Sequence, residues 1–145
     1  MYEYKVNFVC DENKIQNIVN FLMEKMRDLL ILKYYDFLDN ERLEKEKKLV
    51  EKGLLMRCMK GHSLIPHTDY TNTIINILIY LPRDESLSEF GTVFNENRDG
   101  SIIDIEKIQF LPNRFLCFMS TPNSWYSVKE IDKICERNTI LIEMN

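Results

Sequence analysis

From Leu54 onward the chain breaks into eight short β-rich runs, "LLMRCMK", "NTIINILIYL", "GTVF", "SIIDI", "KIQFL", "RFLCFM", "WYSV" and "NTILIEM", separated by turn-forming residues. Such runs of β-branched and aromatic residues are too short for helices, and a string of them requires sheets that pack on one another. The first third differs. Residues 2 to 9, "YEYKVNFV", alternate as a strand does, and "DEN" then puts acidic and amide side chains where a helix start uses them. Ile15, Ile18, Val19, Leu22, Met26, Leu29 and Leu30 recur at spacings of three and four, which predicts a helix over about 13 to 34 with one buried face. The charged stretch "DNERLEKEKKLVEKG" predicts a solvated helix with Gly53 as its stop. Helices followed by many short strands predict an α+β fold with a β-sandwich or barrel-like core, and 145 residues predict a single domain over 1–145.

A net charge of -4 offers no basic surface to a phosphate backbone, so nucleic acid is not an expected partner. The start "MYEYKVNFVCDENK" lacks the basic and apolar stretches of a signal peptide. No apolar run approaches the roughly 20 residues of a membrane span. A cytoplasmic protein without a membrane segment is expected. Cys10, Cys58, Cys117 and Cys135 form no C-x-x-C pair and sit in apolar or strand-like contexts, which predicts reduced core thiols.

Chemistry concentrates in "GHSLIPHTDYTNTIINILIYLP", residues 61 to 82. In a strand, positions i and i+2 share a face, so His67 and Asp69 are able to aim an imidazole and a carboxylate at one point. His62, five positions earlier, falls on the opposite face unless a bulge intervenes. Asn76 and Tyr80 share parity and are candidates for one pocket wall. Arg57 and Lys60 are expected at the surface, Trp125 in the core or a pocket wall, and "LPNR" at 111 to 114 in a tight turn.

These stretches, with "EFGTVF", "FLPNRFLCFMSTPNSWYSV" and "RNTILIE" following in order, resemble the 2-oxoglutarate/iron(II)-dependent oxygenases of the prolyl-hydroxylase kind. The resemblance covers most of residues 53 to 143. It implies a double-stranded β-helix, jelly-roll-like, buttressed by N-terminal helices, with Fe(II) held by His67, Asp69 and a distal ligand. Similar sequences carry a histidine after the "PNS-aromatic" turn; here Tyr126 stands at that position. The resemblance further gives Arg137, eleven positions past Tyr126, the distal carboxylate of 2-oxoglutarate, and aligns Thr92 with a Gly-Thr beside the pocket. Two functions follow from it. One is an oxygenase that hydroxylates or otherwise oxidises an unidentified substrate, small-molecule or other, and the alternative is a catalytically degenerate relative that binds a ligand or partner. Neither the substrate nor the oligomeric state is legible in the sequence.

Overall fold

The computed structural model describes residues 13–14, 16–18, 20–25, 51–71 and 73–144. Eight strands follow one another: β1 (Glu51–Cys58), β2 (Leu64–His67), β3 (Ile75–Tyr80), β4 (Thr92–Arg98), β5 (Ser101–Ile108), β6 (Phe115–Met119), β7 (Trp125–Val128) and β8 (Arg137–Met144). They form two four-stranded antiparallel sheets, ordered β1-β8-β3-β6 and β2-β7-β4-β5. The pairing follows one rule: β1 lies beside β8, β2 beside β7, β3 beside β6 and β4 beside β5. The chain is thus one long hairpin with its tip at β4-β5, folded so that alternate pairs enter alternate sheets.

The pleat separates two apolar layers. Ile75, Ile77, Ile140, Ile142 and Met144 form the outer face of the first sheet, against which Met23 is fully buried. Residues 13–14, 16–18 and 20–25 are helical, so the part of the expected 13–34 helix that is described covers the sheet from outside. Leu78 and Tyr80 point inward with Phe110, Leu116, Phe118 and Leu141. Phe118 on β6 meets Phe94 on β4 edge-on at 5.3 Å between centroids, joining the two inner faces.

Two expectations are corrected. Gly53 does not stop a helix; it lies within β1, paired with Ile142 of β8. Of the helix expected before it, over 39 to 53, residues 51 and 52 instead begin β1 and residues 39–50 lie outside the described residues, as does the strand expected at 2–9. The runs "SIIDI" and "KIQFL" are not two strands, since β5 continues from Ser101 to Ile108 with an irregularity that leaves Ile105 extra between Asp104 and Glu106. As an edge strand it needs no alternating pattern, so its charged middle does not interrupt it. The strand expected at His67 is β2, and it accommodates Pro66 because β2 is the edge of its sheet and its register against β7 shifts between Leu64 and His67, two places where a missing N–H is tolerated.

Of the cysteines, Cys58 is a buried thiol, Cys117 and Cys135 are partly buried, and Cys10 lies outside the described residues. No helix among the described residues is long and apolar enough to cross a membrane.

Candidate functional site

His67 ends β2 and faces Tyr126 of β7 across one register position, with ring centroids 4.4 Å apart. The turn before β7 sets up this placement. Ser124 Oγ accepts from Thr121 N at 2.7 Å, and the Asn123 amide donates to Thr121 Oγ1 at 3.2 Å. Small hydroxyl side chains thereby close the turn from which Trp125 and Tyr126 start.

Asp69 is not on the strand with His67, as the i, i+2 argument expects, but in the turn beyond it, where its carbonyl accepts from the Thr73 amide at 2.9 Å. The two side chains still converge, with His67 Nε2 3.5 Å from Asp69 Oδ1. His67 Nδ1 lies 2.9 Å from the Ile65 carbonyl. A carbonyl only accepts, so Nδ1 carries the hydrogen and, in the neutral ring, Nε2 presents its lone pair toward Asp69.

The other carboxylate oxygen is occupied. Asp69 Oδ2 accepts a short bond from the Tyr126 hydroxyl and another from Asn76 Nδ2 at 3.2 Å. Asn76 Nδ2 also donates to Ser120 Oγ at 3.0 Å, while its buried Oδ1 has no partner. Burial first, and Asp69 second, push the Tyr126 phenol far above its ordinary range, so it remains a protonated donor. Phe118 closes this side of the cluster, 5.0 Å from the Tyr126 ring.

A second group lies around Arg137 at the start of β8. Arg137 is 2% exposed. Its Nε donates to the Phe90 carbonyl at 2.7 Å and its Nη1 to Thr139 Oγ1 at 3.2 Å. The guanidinium lies over the rings of Phe110, at 4.8 Å, and Tyr80, at 5.7 Å. Among the described residues no carboxylate lies within 4 Å of it. Tyr80 Oη donates to Thr92 Oγ1 at 2.6 Å and accepts from Thr92 N at 2.9 Å, bridging the two sheets.

His62 belongs with Arg137, not with His67: burial lowers its imidazole's affinity for a proton, and the nearby guanidinium lowers it further. Burial raises the Cys58 thiol despite the same guanidinium. Arg57 reaches outward to Asn138 and Glu136, as a surface charge does. Two surface grooves lie elsewhere, one of about 570 Å³ beside Glu85 and Arg114, the other of about 310 Å³ beside Arg83 and Cys135; neither is lined by His67, Asp69 or Tyr126.

A three-ligand iron(II) centre does not fit these side chains. Among the described residues no three His, Cys, Asp or Glu side chains converge as metal ligands. His67 and Asp69 supply two donors, and Tyr126 is a neutral phenol whose hydrogen occupies Asp69.

No family model and no curated protein matches this chain. Among solved structures it is similar to a prolyl-4-hydroxylase from Pseudomonas putida, with TM-score 0.55 and 14% identity, covering 85% of this chain and 62% of that one. It is also similar, at TM-score 0.44 and 12% identity over 68% of this chain and 46% of that one, to an oxidoreductase of the 2OG-Fe(II) oxygenase family from Burkholderia pseudomallei. The chain therefore spans less than two thirds of the length of either structure and shares with the hydroxylase a fold of antiparallel β-sheets.

Proposed function

We propose that the eight strands form a double-stranded β-helix of the jelly-roll kind, as in 2-oxoglutarate/iron(II)-dependent oxygenases, and that this chain uses it as a ligand-binding module whose oxidising centre is lost. The folded-hairpin order of the strands supports the architecture. The binding reading rests on the hydrogen bond from Tyr126 to Asp69. On the resemblance, Tyr126 occupies the place of the distal histidine. A phenol kept protonated by burial is a poor iron(II) ligand, and it takes up an oxygen of the carboxylate that remains.

Two observations favour the oxygenase as a second reading. The Ile65 carbonyl orients His67 as backbone carbonyls commonly orient metal-bound imidazoles. Arg137 is a buried guanidinium without a carboxylate among the described residues, suited to a two-pronged grip on 2-oxoglutarate, with Tyr80 and Thr92 near it on the inner faces, whereas Asn76 lies at the other end of β3 beside Asp69. The reaction on that reading is oxidation of a C–H bond coupled to decarboxylation of 2-oxoglutarate. Anaerobic titration with iron(II) and 2-oxoglutarate separates the two. The binding module gives no visible charge-transfer band of a ternary complex, and the appearance of that band moves the assignment to an oxygenase.

A further inference from the structure

The strand β5 is a free edge of the second sheet: β4 pairs with it on one side, and among the described residues no strand lies on the other. One row of its backbone N–H and C=O groups is therefore open. Both faces are open as well. Every residue from Ser101 to Lys107 is exposed, with Ile102, Ile103 and Ile105 at 39%, 37% and 55%, and neighbouring isoleucines in water mark an interaction surface. The extra residue Ile105 decides which side chains share a face. Lys107 is opposite Val93 and Asp104 opposite Asn95, so Asp104 and Lys107 lie on one face although they are three positions apart. Ile103, opposite Glu96, and Ile108, opposite Thr92, share the other face. Asp104 is held in place, Oδ1 accepting from Asn95 Nδ2 and Oδ2 from Lys129 Nζ, each at 2.9 Å, and its side chain is still 53% exposed. Among the described residues no carboxylate lies within 4 Å of the Lys107 ammonium.

We propose that β5 is the surface through which two copies of this chain associate, pairing antiparallel about a two-fold axis so that two four-stranded sheets become one of eight strands. In the register that sets Asp104 opposite Lys107 of the second copy, Ile103 meets Ile108 of that copy, and the symmetry repeats both contacts. Each pair joins side chains of one face, which the odd spacings would forbid in a strand without the extra residue. Charges on an edge strand ordinarily keep copies apart. Here their order selects one alignment: registers centred on Asp104, Ile105 or Glu106 put a carboxylate opposite a carboxylate, whereas this one forms two opposite-charge pairs. The surface shares no residue with the clusters around Asp69 and Arg137, so association neither requires nor excludes a ligand there.

Analytical ultracentrifugation of the full chain, followed up to about 1 mM, is the test. The expected result is a reversible monomer–dimer equilibrium that weakens at least about tenfold in Lys107→Glu and in Asp104→Lys, because each change turns two attractions into repulsions. An equimolar mixture of these two variants should associate more tightly than either alone. In the mixed pair Asp104 of one copy meets Lys107 of the other, and the introduced carboxylate meets the introduced ammonium, a recovery that a merely misfolded variant cannot give. Phe115→Ser, at the exposed start of the edge strand β6, is the contrast and should leave the equilibrium unchanged. A monomer at every concentration, a dimer that Lys107→Glu leaves intact, a dimer that Phe115→Ser dissolves, or a mixture no tighter than its components overturns the inference.

Discussion

Tyr126 links the chemistry of the cluster to its stability. Its phenol titrates higher in the folded chain than in the unfolded one, because burial and Asp69 both oppose ionisation. The resulting stabilisation is complete below the ordinary tyrosine range near pH 10 and is lost as pH rises above it. Tyr126→Phe should cost about 1–3 kcal/mol at neutral pH, since Asp69 loses a buried donor, and should lose less stability than the parent between about pH 10 and 11. Urea unfolding at both pH values checks the sign. Tyr126→His tests the other property of this position: a third nitrogen donor beside His67 and Asp69 should raise iron(II) affinity at least about tenfold, by analogy with ligand-environment effects, while His62→Ala, altered beside Arg137, should leave it unchanged. Anaerobic metal competition measures both. The residues of this cluster that are legible in the sequence, His67, Asp69, Asn76 and Tyr126, act through their side chains. The Ile65 carbonyl that orients His67, the Phe90 carbonyl that holds Arg137 and the small hydroxyl of Ser120 were not, because a backbone acceptor or a lone serine leaves no mark in residue type or spacing.

Among the elements, the link from the short 3-10 helix Glu85–Phe90 to β4 is the tightest point. Asp84 caps that helix by accepting from the Ser86 amide at 2.8 Å. Gly91 follows, with φ −77°, so it is not required for a left-handed backbone. It is required for space: a Cβ there would lie 1.6 Å from the Ile108 carbonyl oxygen of β5. Gly91→Ala must therefore push β4 and β5 apart beside Thr92, and a loss of at least about 2 kcal/mol is expected, as for other overpacked sites. Thermal unfolding checks this, and Gly100→Ala serves as the contrast. Gly100 has open space around it but φ +90° in the two-residue turn with Asp99, at φ +52°, so its cost should be that of left-handed strain, about 1 kcal/mol. That Asp-Gly pair, in "NRDGS", is the dipeptide that such a two-residue turn favours. The strands harder to read were the edges β2 and β5. One contains a proline and the other lacks alternation, because an edge has neither two hydrogen-bonding neighbours nor a fully buried face.

Across the molecule, the two sheets are fastened at two places along β3. At one end Asn76 donates to Asp69, which is held in turn by Tyr126 of the second sheet; at the other, Tyr80 both donates to and accepts from Thr92 of β4. Four residue steps of strand separate Asn76 from Tyr80, roughly 13 Å, with Leu78 and the Phe94–Phe118 contact filling the inner layer. Neither fastening shares a partner with the other. Tyr80→Phe leaves the buried Thr92 amide without an acceptor, a loss of about 1–3 kcal/mol. In a double-mutant cycle, Tyr80→Phe and Tyr126→Phe should add within about 0.5 kcal/mol, the behaviour of distant sites in an otherwise intact core. A coupling above about 1 kcal/mol in denaturant unfolding would instead mean that the inner layer transmits strain along β3. The cluster at Asp69 and the guanidinium of Arg137 would then respond to ligands as one site, and occupancy of either end would alter affinity at the other.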